Sequence, residues 1–355
     1  MARQNIHQFA AGFNLGDAIS NEMQSLKSVF RRLGYSSEIF AENTGPGTGA
    51  LVKKYKYCHA KNKDIIFYHH SIHSSVFEYI QRMKCPKVLV YHNVTPPSYF
   101  EKYDLKLTYL LGQGREELSQ IRDEFNAVFA VSDFNKRELE ELGYENVKIL
   151  PITYQIPPKP NFVASRTDEL QFRGPRFLFV GRITPNKKQD DLIRFAYYYS
   201  KTFGPDFQLF LVGFSSKELY LYREELERML DFYKLRQNVI ITDFLSEESL
   251  QRIYRECDLF ISMSEHEGFC VPLLEAMVHG IPVMAYDAGA VRETLSGAGV
   301  LFKEKRMDLL VGLANKIVND PELNRAVLKT QEERIGNFSR VRPESILRPV
   351  LAELA

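Results

Sequence analysis

The sequence predicts an α/β protein of two doubly wound, Rossmann-like domains, each a parallel sheet wrapped by helices. Three observations carry that expectation. At 355 residues the chain is longer than one hydrophobic core usually organises. Short apolar runs, rich in β-branched and aromatic residues, alternate with helical stretches through both halves. A proline-rich segment, Pro157-Pro-Lys-Pro-Asn161, interrupts the alternation near the middle. The expected division is a first domain over residues 1–156, a linker over 157–175 and a second domain over 176–339, with a tail helix over about 340–355.

In the first half, Asn5–Ala10 is the first expected strand. Asp17–Leu33 is an amphipathic helix with Asp17 at its start and Gly34 at its end. Gly12 and Gly16 bracket the loop between them. Gly16 either serves a turn or lets a phosphate approach the backbone, and the residue alone does not choose. Ser36–Ala41, Asp64–His69, Lys87–Asn93, Asn126–Ser132 and Val147–Ile152 follow as strands. A helix over Asp133–Leu142 takes Ser132 or Asp133 as its cap. His69, His70 and His73 stand close together, but no carboxylate accompanies them and a strand end does not give zinc spacing. Lys53-Lys-Tyr-Lys-Tyr57 is basic and aromatic. A solvated helix face is its ordinary meaning, and a lipid surface is the alternative.

The second half begins with a strand over Arg176–Ile183, and Thr184–Ile193 leads from loop into helix. Phe207–Gly213 and Val239–Leu245 are strands around a charged helix over about 217–235, and Ser246 looks like a helix cap. The most informative stretch runs from Asp258 to Asp287. Asp258–Met263 reads as a buried parallel strand, and Glu267-Gly268-Phe269 is the loop at its C-terminal end. Pro272 suits the first helical position, Leu273, Leu274, Met277 and Val278 form an apolar face, and Gly280 closes the helix. Ile281–Tyr286 is the next strand. The loop therefore opens on a helix N-terminus, whose free N–H groups and dipole suit a phosphate. Glu267 in the loop and Glu275 about one turn into the helix flank that place. A carboxylate accepts two hydrogen bonds, which matches a pair of neighbouring sugar hydroxyls. Either glutamate alone is explained by the helix's positive end. The whole string describes a receptor for a sugar nucleotide.

Composition excludes several classes. Lys+Arg 46 against Asp+Glu 45 leaves no surface charge to dominate a nucleic acid or other polyanion. Cys58, Cys85, Cys257 and Cys270 are scattered without a Cys-x-x-Cys pair, as expected of buried thiols in a reducing compartment. No apolar run approaches the roughly 20 residues of a membrane-spanning helix, and the first residues are too polar for a signal peptide. A cytoplasmic protein is expected, with peripheral contact at the inner face of a membrane left open.

Glu267 and Glu275 stand in the setting Glu-Gly-Phe-x-x-Pro-x-x-Glu-Ala, which resembles the Glu-x7-Glu motif of the retaining glycosyltransferases of family 4. The resemblance extends along nearly the whole chain. It implies the GT-B fold, with the two domains facing across a cleft and the tail helix packing back on the first. It implies transfer of a sugar from a nucleotide sugar to an acceptor hydroxyl with retention of configuration. Gly181-Arg182 with Lys187 resembles the family's Gly-Arg-x4-Lys signature. Fixed cations there would stabilise charge growing on the leaving diphosphate, Arg182 as a fork and Lys187 as a point charge, with Lys188 the competing candidate. The same resemblance implies Glu275 on the ribose hydroxyls, Glu267 on the sugar hydroxyls, and His92 beside the sugar as a positioning group. Gly16, Gly181 and the amides near Phe269, Cys270 and Val271 would complete the donor site. Gly289 would let further amides reach the diphosphate, and Glu293 matches a frequent family glutamate.

The chain also departs from the pattern. Gly16 lacks its usual glycine partner, Thr153 stands where an Asn-Gly pair is common, and no glycine lies near Asp243 or Phe244. The last departure leaves the donor open between a UDP-sugar and a GDP-sugar. Cys270 occupies a place where the family often has glycine, and no chemistry is assigned to it. The metal-diphosphate motif Asp-x-Asp is absent, so neither metal nor cofactor is expected. The implied acceptor is a glycan or a lipid-linked glycan in surface polysaccharide assembly, with no nucleic-acid partner. Two other readings are an epimerase or phosphorylase on the same fold and a silent scaffold. The joint presence of Arg182, Lys187, Glu267 and Glu275 speaks against the scaffold.

Overall fold

The structure is a computed structural model that describes residues 4–153, 173–243 and 245–354. Most of the expected linker, residues 157–172, lies outside the described residues, as does Phe244. The first half runs β1 (Asn5–Phe13), α1 (Ala18–Arg32), β2 (Ser36–Thr44), β3 (Lys53–Lys54), β4 (Ile65–His70), α2 (Val76–Gln81), β5 (Lys87–Tyr91), α3 (Leu105–Gln120), β6 (Ala127–Ala130), α4 (Asp133–Glu141) and β7 (Lys148–Ile149). The second runs β8 (Arg176–Val180), α5 (Gln189–Phe203), β9 (Gln208–Val212), α6 (Tyr220–Tyr233), β10 (Val239–Thr242), α7 (Glu247–Glu256), β11 (Leu259–Ser262), α8 (Val271–Val278), β12 (Val283–Tyr286), α9 (Val291–Leu295), β13 (Val300–Phe302), α10 (Met307–Asn319), α11 (Pro321–Phe338) and α12 (Pro343–Glu353).

Two parallel sheets result. The first has the order β3-β2-β1-β4-β5-β6-β7 and the second β10-β9-β8-β11-β12-β13. In each, the winding reverses once, between β1 and β4 and between β8 and β11. An open α/β sheet binds ligands beyond the strand C-termini at such a reversal, so topology alone offers one ligand position in each sheet. The central strands are apolar because helices cover both faces. Every residue of β4 and β5 is buried. Phe177, Phe179, Phe195, Leu209 and Ile261 belong to the core of the second sheet.

Helix starts follow the expected caps. Asp17 accepts from the Ser20 amide at 3.1 Å, Ser132 from Asn135 at 3.2 Å and Ser246 from Ser249 at 3.2 Å. Each such cap contributes about 1 kcal/mol. The stretch Lys53–Tyr57 corrects the sequence reading. It is not a helix face but the short edge strand β3 followed by a 3-10 turn over Tyr55–Tyr57. Lys53 and Lys54 pair with Phe40 and Ala41 of β2, so the neighbouring strand and not the local pattern makes them extended. Exposed lysines at the edge also block further strand pairing.

The chain divides into two compact units. One gathers the chain through Ser98, a stretch beginning at Leu105, and the described residues from Val341 onward. The other holds the second half through Arg340 and also Tyr99–Asp104. Helix α12 thus groups with the first unit, where Glu344 pairs with Arg32 of α1 at 2.7 Å. In the second unit, the Tyr103 ring meets Tyr222 edge-on at 5.3 Å, and its hydroxyl donates to Glu225 at 3.0 Å. Among the described residues, no helix is long and apolar enough to cross a membrane.

Candidate active site

At the reversal of the second sheet, the loops after β8 and β11 are joined by hydrogen bonds. The Glu265 amide donates to the Asn186 carbonyl at 2.9 Å, and Asn186 Nδ2 donates to the His266 carbonyl at 3.3 Å. These bonds bring Lys187 and Glu267 together, with Lys187 Nζ 2.6 Å from Glu267 Oε2. Glu267 is 5% exposed, so its carboxylate depends on this partner rather than on water. The neighbouring Lys188 sits in the left-handed region at φ +56° and turns to Asp190 at 3.0 Å instead. Geometry therefore separates the two lysines that the sequence left in competition. Arg182 lies earlier on the same loop. Its carbonyl accepts from Gln189 Nε2 at 2.9 Å, while its exposed guanidinium has no partner among the described residues.

Two glycines make the close approach possible. A Cβ on Gly213 would lie 1.9 Å from the Gly181 carbonyl oxygen. A Cβ on Gly289, at φ +57°, would lie 2.3 Å from that of Glu267. Gly289 thus lets its loop pack on the Glu267 backbone, which is a different use from the one expected. Helix α8 follows directly. Cys270 precedes it at φ +69°, a conformation that favours glycine. Burial, with Glu267 beside it, pushes its thiol well above the usual range, so it is no nucleophile. The amides of Phe269, Cys270 and Val271 open the helix without acceptors among the described residues. Glu275 stands on the same helix. One of its oxygens accepts from Tyr254 at 2.9 Å, and burial raises its pKa. Tyr254 is itself fixed by stacking on His279 with ring centroids 4.9 Å apart.

At the reversal of the first sheet, Gly16 is exposed at φ +78° just before the Asp17 cap. His92 follows β5. Strand register puts it on one face with two other polar residues. Ala10 pairs with His69, and His69 pairs with Val90. Two residues back along β1 is Gln8, and two residues beyond Val90 is His92. The three side chains connect. His92 Nε2 lies 2.8 Å from His69 Nδ1, and His69 Nε2 lies 3.1 Å from Gln8 Oε1. Asn93 is held at φ +81°, with its amide donating to Asn135 and Glu138, and Arg115 pairs with Glu138 at 2.6 Å. His70 and His73 turn elsewhere, to the Gly114 carbonyl and to Glu117. Neither Gln8 nor a structural use for His69 emerges from the sequence. The signal was there in the period-two alternation of β1 and β4, but only register shows that the faces coincide.

Within the second unit, the arrangement can hold an anion at the α8 N-terminus and hydroxyls at Glu267 and Glu275; within the first, His92 has a ring nitrogen without a partner among the described residues. Residues 167–334 match the family model described as glycosyl transferases group 1. The chain is 30% identical over 187 residues to the O-antigen biosynthesis glycosyltransferase WbnH of Escherichia coli. That alignment covers 53% of this chain and 48% of WbnH, so the chain spans about half the length of the curated relatives it matches. In fold, it resembles the sucrose-phosphate synthase of Thermosynechococcus elongatus with a TM-score of 0.76 at 18% identity, over 99% of this chain and 98% of that one. It also resembles Anabaena Alr3699/HepE, solved in complex with UDP and glucose, with a TM-score of 0.72 at 16% identity over 99% of both chains. The α/β fold of paired Rossmann-like units is therefore the one expected.

Proposed function

We propose that the protein is a retaining glycosyltransferase that moves a hexose from a UDP- or GDP-sugar to a glycan hydroxyl without a metal ion. The observation that carries this reading is the Lys187–Glu267 pair, with its carboxylate buried and its ammonium half-buried, ahead of the open N-terminus of α8. An ammonium has three N–H donors. Glu267 takes one and leaves two for diphosphate oxygens. Arg182 and the amides of Phe269, Cys270 and Val271 supply further donors, so negative charge on the leaving diphosphate meets fixed positive ends. Glu267 keeps acceptor capacity for sugar hydroxyls, and Glu275 keeps one oxygen for a ribose. The similarity to WbnH favours an acceptor in surface glycan assembly.

The test is a thermal-shift panel with UDP, GDP, ADP and their sugar conjugates, with and without chelator, followed by turnover assays. A ligand at about 100 times its dissociation constant adds roughly 2.7 kcal/mol to stability. One responding nucleotide, indifferent to chelator, supports the reading and fixes the donor class. A response lost with chelator removes the role given to Lys187 and Arg182. Turnover that needs no acceptor, or needs inorganic phosphate, replaces the transferase with another enzyme on this fold.

A further inference from the structure

We propose that Gln8 and His69 are positioning residues that fix the tautomer of His92, leaving its Nδ1 as a bare acceptor for a hydrogen-donating group of the ligand. The inference rests on the reading of His92 as a residue that faces the transferred sugar. The polarity of the chain is set at its far end. Gln8 Nε2 donates to the Met23 carbonyl at 2.9 Å and faces Ser37 Oγ at 3.4 Å. The nitrogen of the amide is thereby committed, and its oxygen must be the atom that faces His69. His69 Nε2, at 3.1 Å, carries the proton it donates there. Burial keeps both imidazoles neutral near pH 7, His69 well below its usual range and His92 down to about 3. Each ring then has one N–H. His69 Nδ1 is bare and takes the Nε2–H of His92 at 2.8 Å.

One atom remains. His92 Nδ1 is buried and has no partner among the described residues. As a bare nitrogen it can be satisfied by a hydroxyl or an amide N–H. It repels a carboxylate or a phosphate oxygen, which has no proton to give. The Gln8–His69 relay therefore selects a neutral sugar at this place over one that is acidic there. The left-handed Asn93, tied to Asn135 and Glu138, holds the backbone side of the same residue.

The test uses the full-length protein with 15N-labelled histidine, of which there are eight. Imidazole nitrogen shifts should show His92 as the Nε2–H tautomer. Gln8→Glu, its carboxyl protonated toward the Met23 carbonyl, still accepts from His69 and should keep the parent's His92 tautomer. Gln8→Leu has neither donor nor acceptor and frees the His69 proton to sit on either nitrogen. The expected result for Gln8→Leu is a mixture of His92 tautomers in the spectrum and a fall of about twofold or more in kcat with UDP-glucose or GDP-mannose, with an unchanged shift in Tm on adding UDP or GDP. A parent spectrum with His92 protonated at Nδ1 overturns the proposal, as does a His92 signal and kcat unmoved by Gln8→Leu. If the parent turns over neither donor, the transferase reading fails, while the spectra still decide the relay.

Discussion

The Lys187–Glu267 pair joins stability and chemistry in one contact, and the two can be separated. Removing one partner of a buried pair leaves a charge stranded, at a cost of about 3–5 kcal/mol. Lys187→Ala should therefore lower unfolding stability by about 3 kcal/mol as well as abolish turnover. Lys187→Met combined with Glu267→Gln should regain most of the stability and none of the turnover. A double variant as unstable as the single one in urea would show that the pair is not what the loops depend on. Glu22 gives a second residue-scale prediction. It is fully buried on α1 and accepts from the Thr153 amide at 2.6 Å and hydroxyl at 2.9 Å. Its other oxygen has no partner among the described residues, and burial raises its pKa from 4.5 to about 7. A raised carboxyl binds its proton more tightly when folded. Its contribution is fully present below pH 4.5 and is lost as pH rises through 7, a loss of about 3 kcal/mol. Glu22→Gln keeps an acceptor for Thr153 without the charge. Its stability advantage over the parent should grow between pH 4.5 and 7 and then level off, which chemical denaturation at a series of pH values would measure.

Among the elements, the parts that hold the second site together are glycines and one buried amide rather than the charged residues. Gly289→Ala forces a Cβ against the Glu267 carbonyl oxygen in a left-handed conformation. It should displace the Glu267 loop, lowering both Tm and the response to nucleotide, although no charged group is touched. An unchanged nucleotide response would mean that the loop tolerates displacement. Gln331 of α11 plays a different part. It is 1% exposed, accepts from the Val283 amide at 2.8 Å and donates to the Ile281 carbonyl at 2.8 Å. A helix side chain thus satisfies the backbone at the start of β12, where the strand that follows α8 enters the sheet. Gln331→Leu leaves both groups buried and unpaired, and should cost about 2 kcal/mol or more. Equal denaturation midpoints for parent and variant would contradict that account.

Over the whole molecule, formal charge is nearly balanced at +1, so acid sensitivity comes from particular buried groups. The first unit buries His69, His70 and His92 neutral, with His70 lowered to about 4 and His92 to about 3. A lowered imidazole contributes stability that is complete above pH 6.5 and is lost as pH falls toward its folded value. His70 alone accounts for about 3 kcal/mol of such loss. Glu22, Glu117 and Glu275, all raised by burial, act in the opposite sense over part of this range, while His7 and His279, also lowered by burial, add to the three histidines. The chain should therefore lose several kcal/mol between pH 7 and pH 5, above the range in which ordinary carboxylates titrate. Urea midpoints followed by tyrosine fluorescence would check this, and an equal or higher midpoint at pH 5 would show that the histidines are not held neutral.

The sequence by itself determined the alternation of strand and helix, the helix caps and the unit strand–loop–helix–strand around Glu267 and Glu275. These are local facts, because apolar periodicity, cap residues and the placement of proline and glycine act within a few residues. Helices α3 and α11 were not legible, since their apolar faces are weak; α10 does carry an apolar face, over Leu310, Val311, Ala314 and Ile317, and was within reach of the sequence. Lys53–Tyr57 was misread because a two-residue strand is fixed by its neighbour in the sheet. Tertiary structure alone decided which lysine meets Glu267, which carbonyls require Gly213 and Gly289, and how Gln8 and His69 stand behind His92. Lys187 and Glu267 are 80 positions apart, and Gln8 and His69 are 61. Contacts at such separations are set by strand order and register, which no local stretch of sequence encodes.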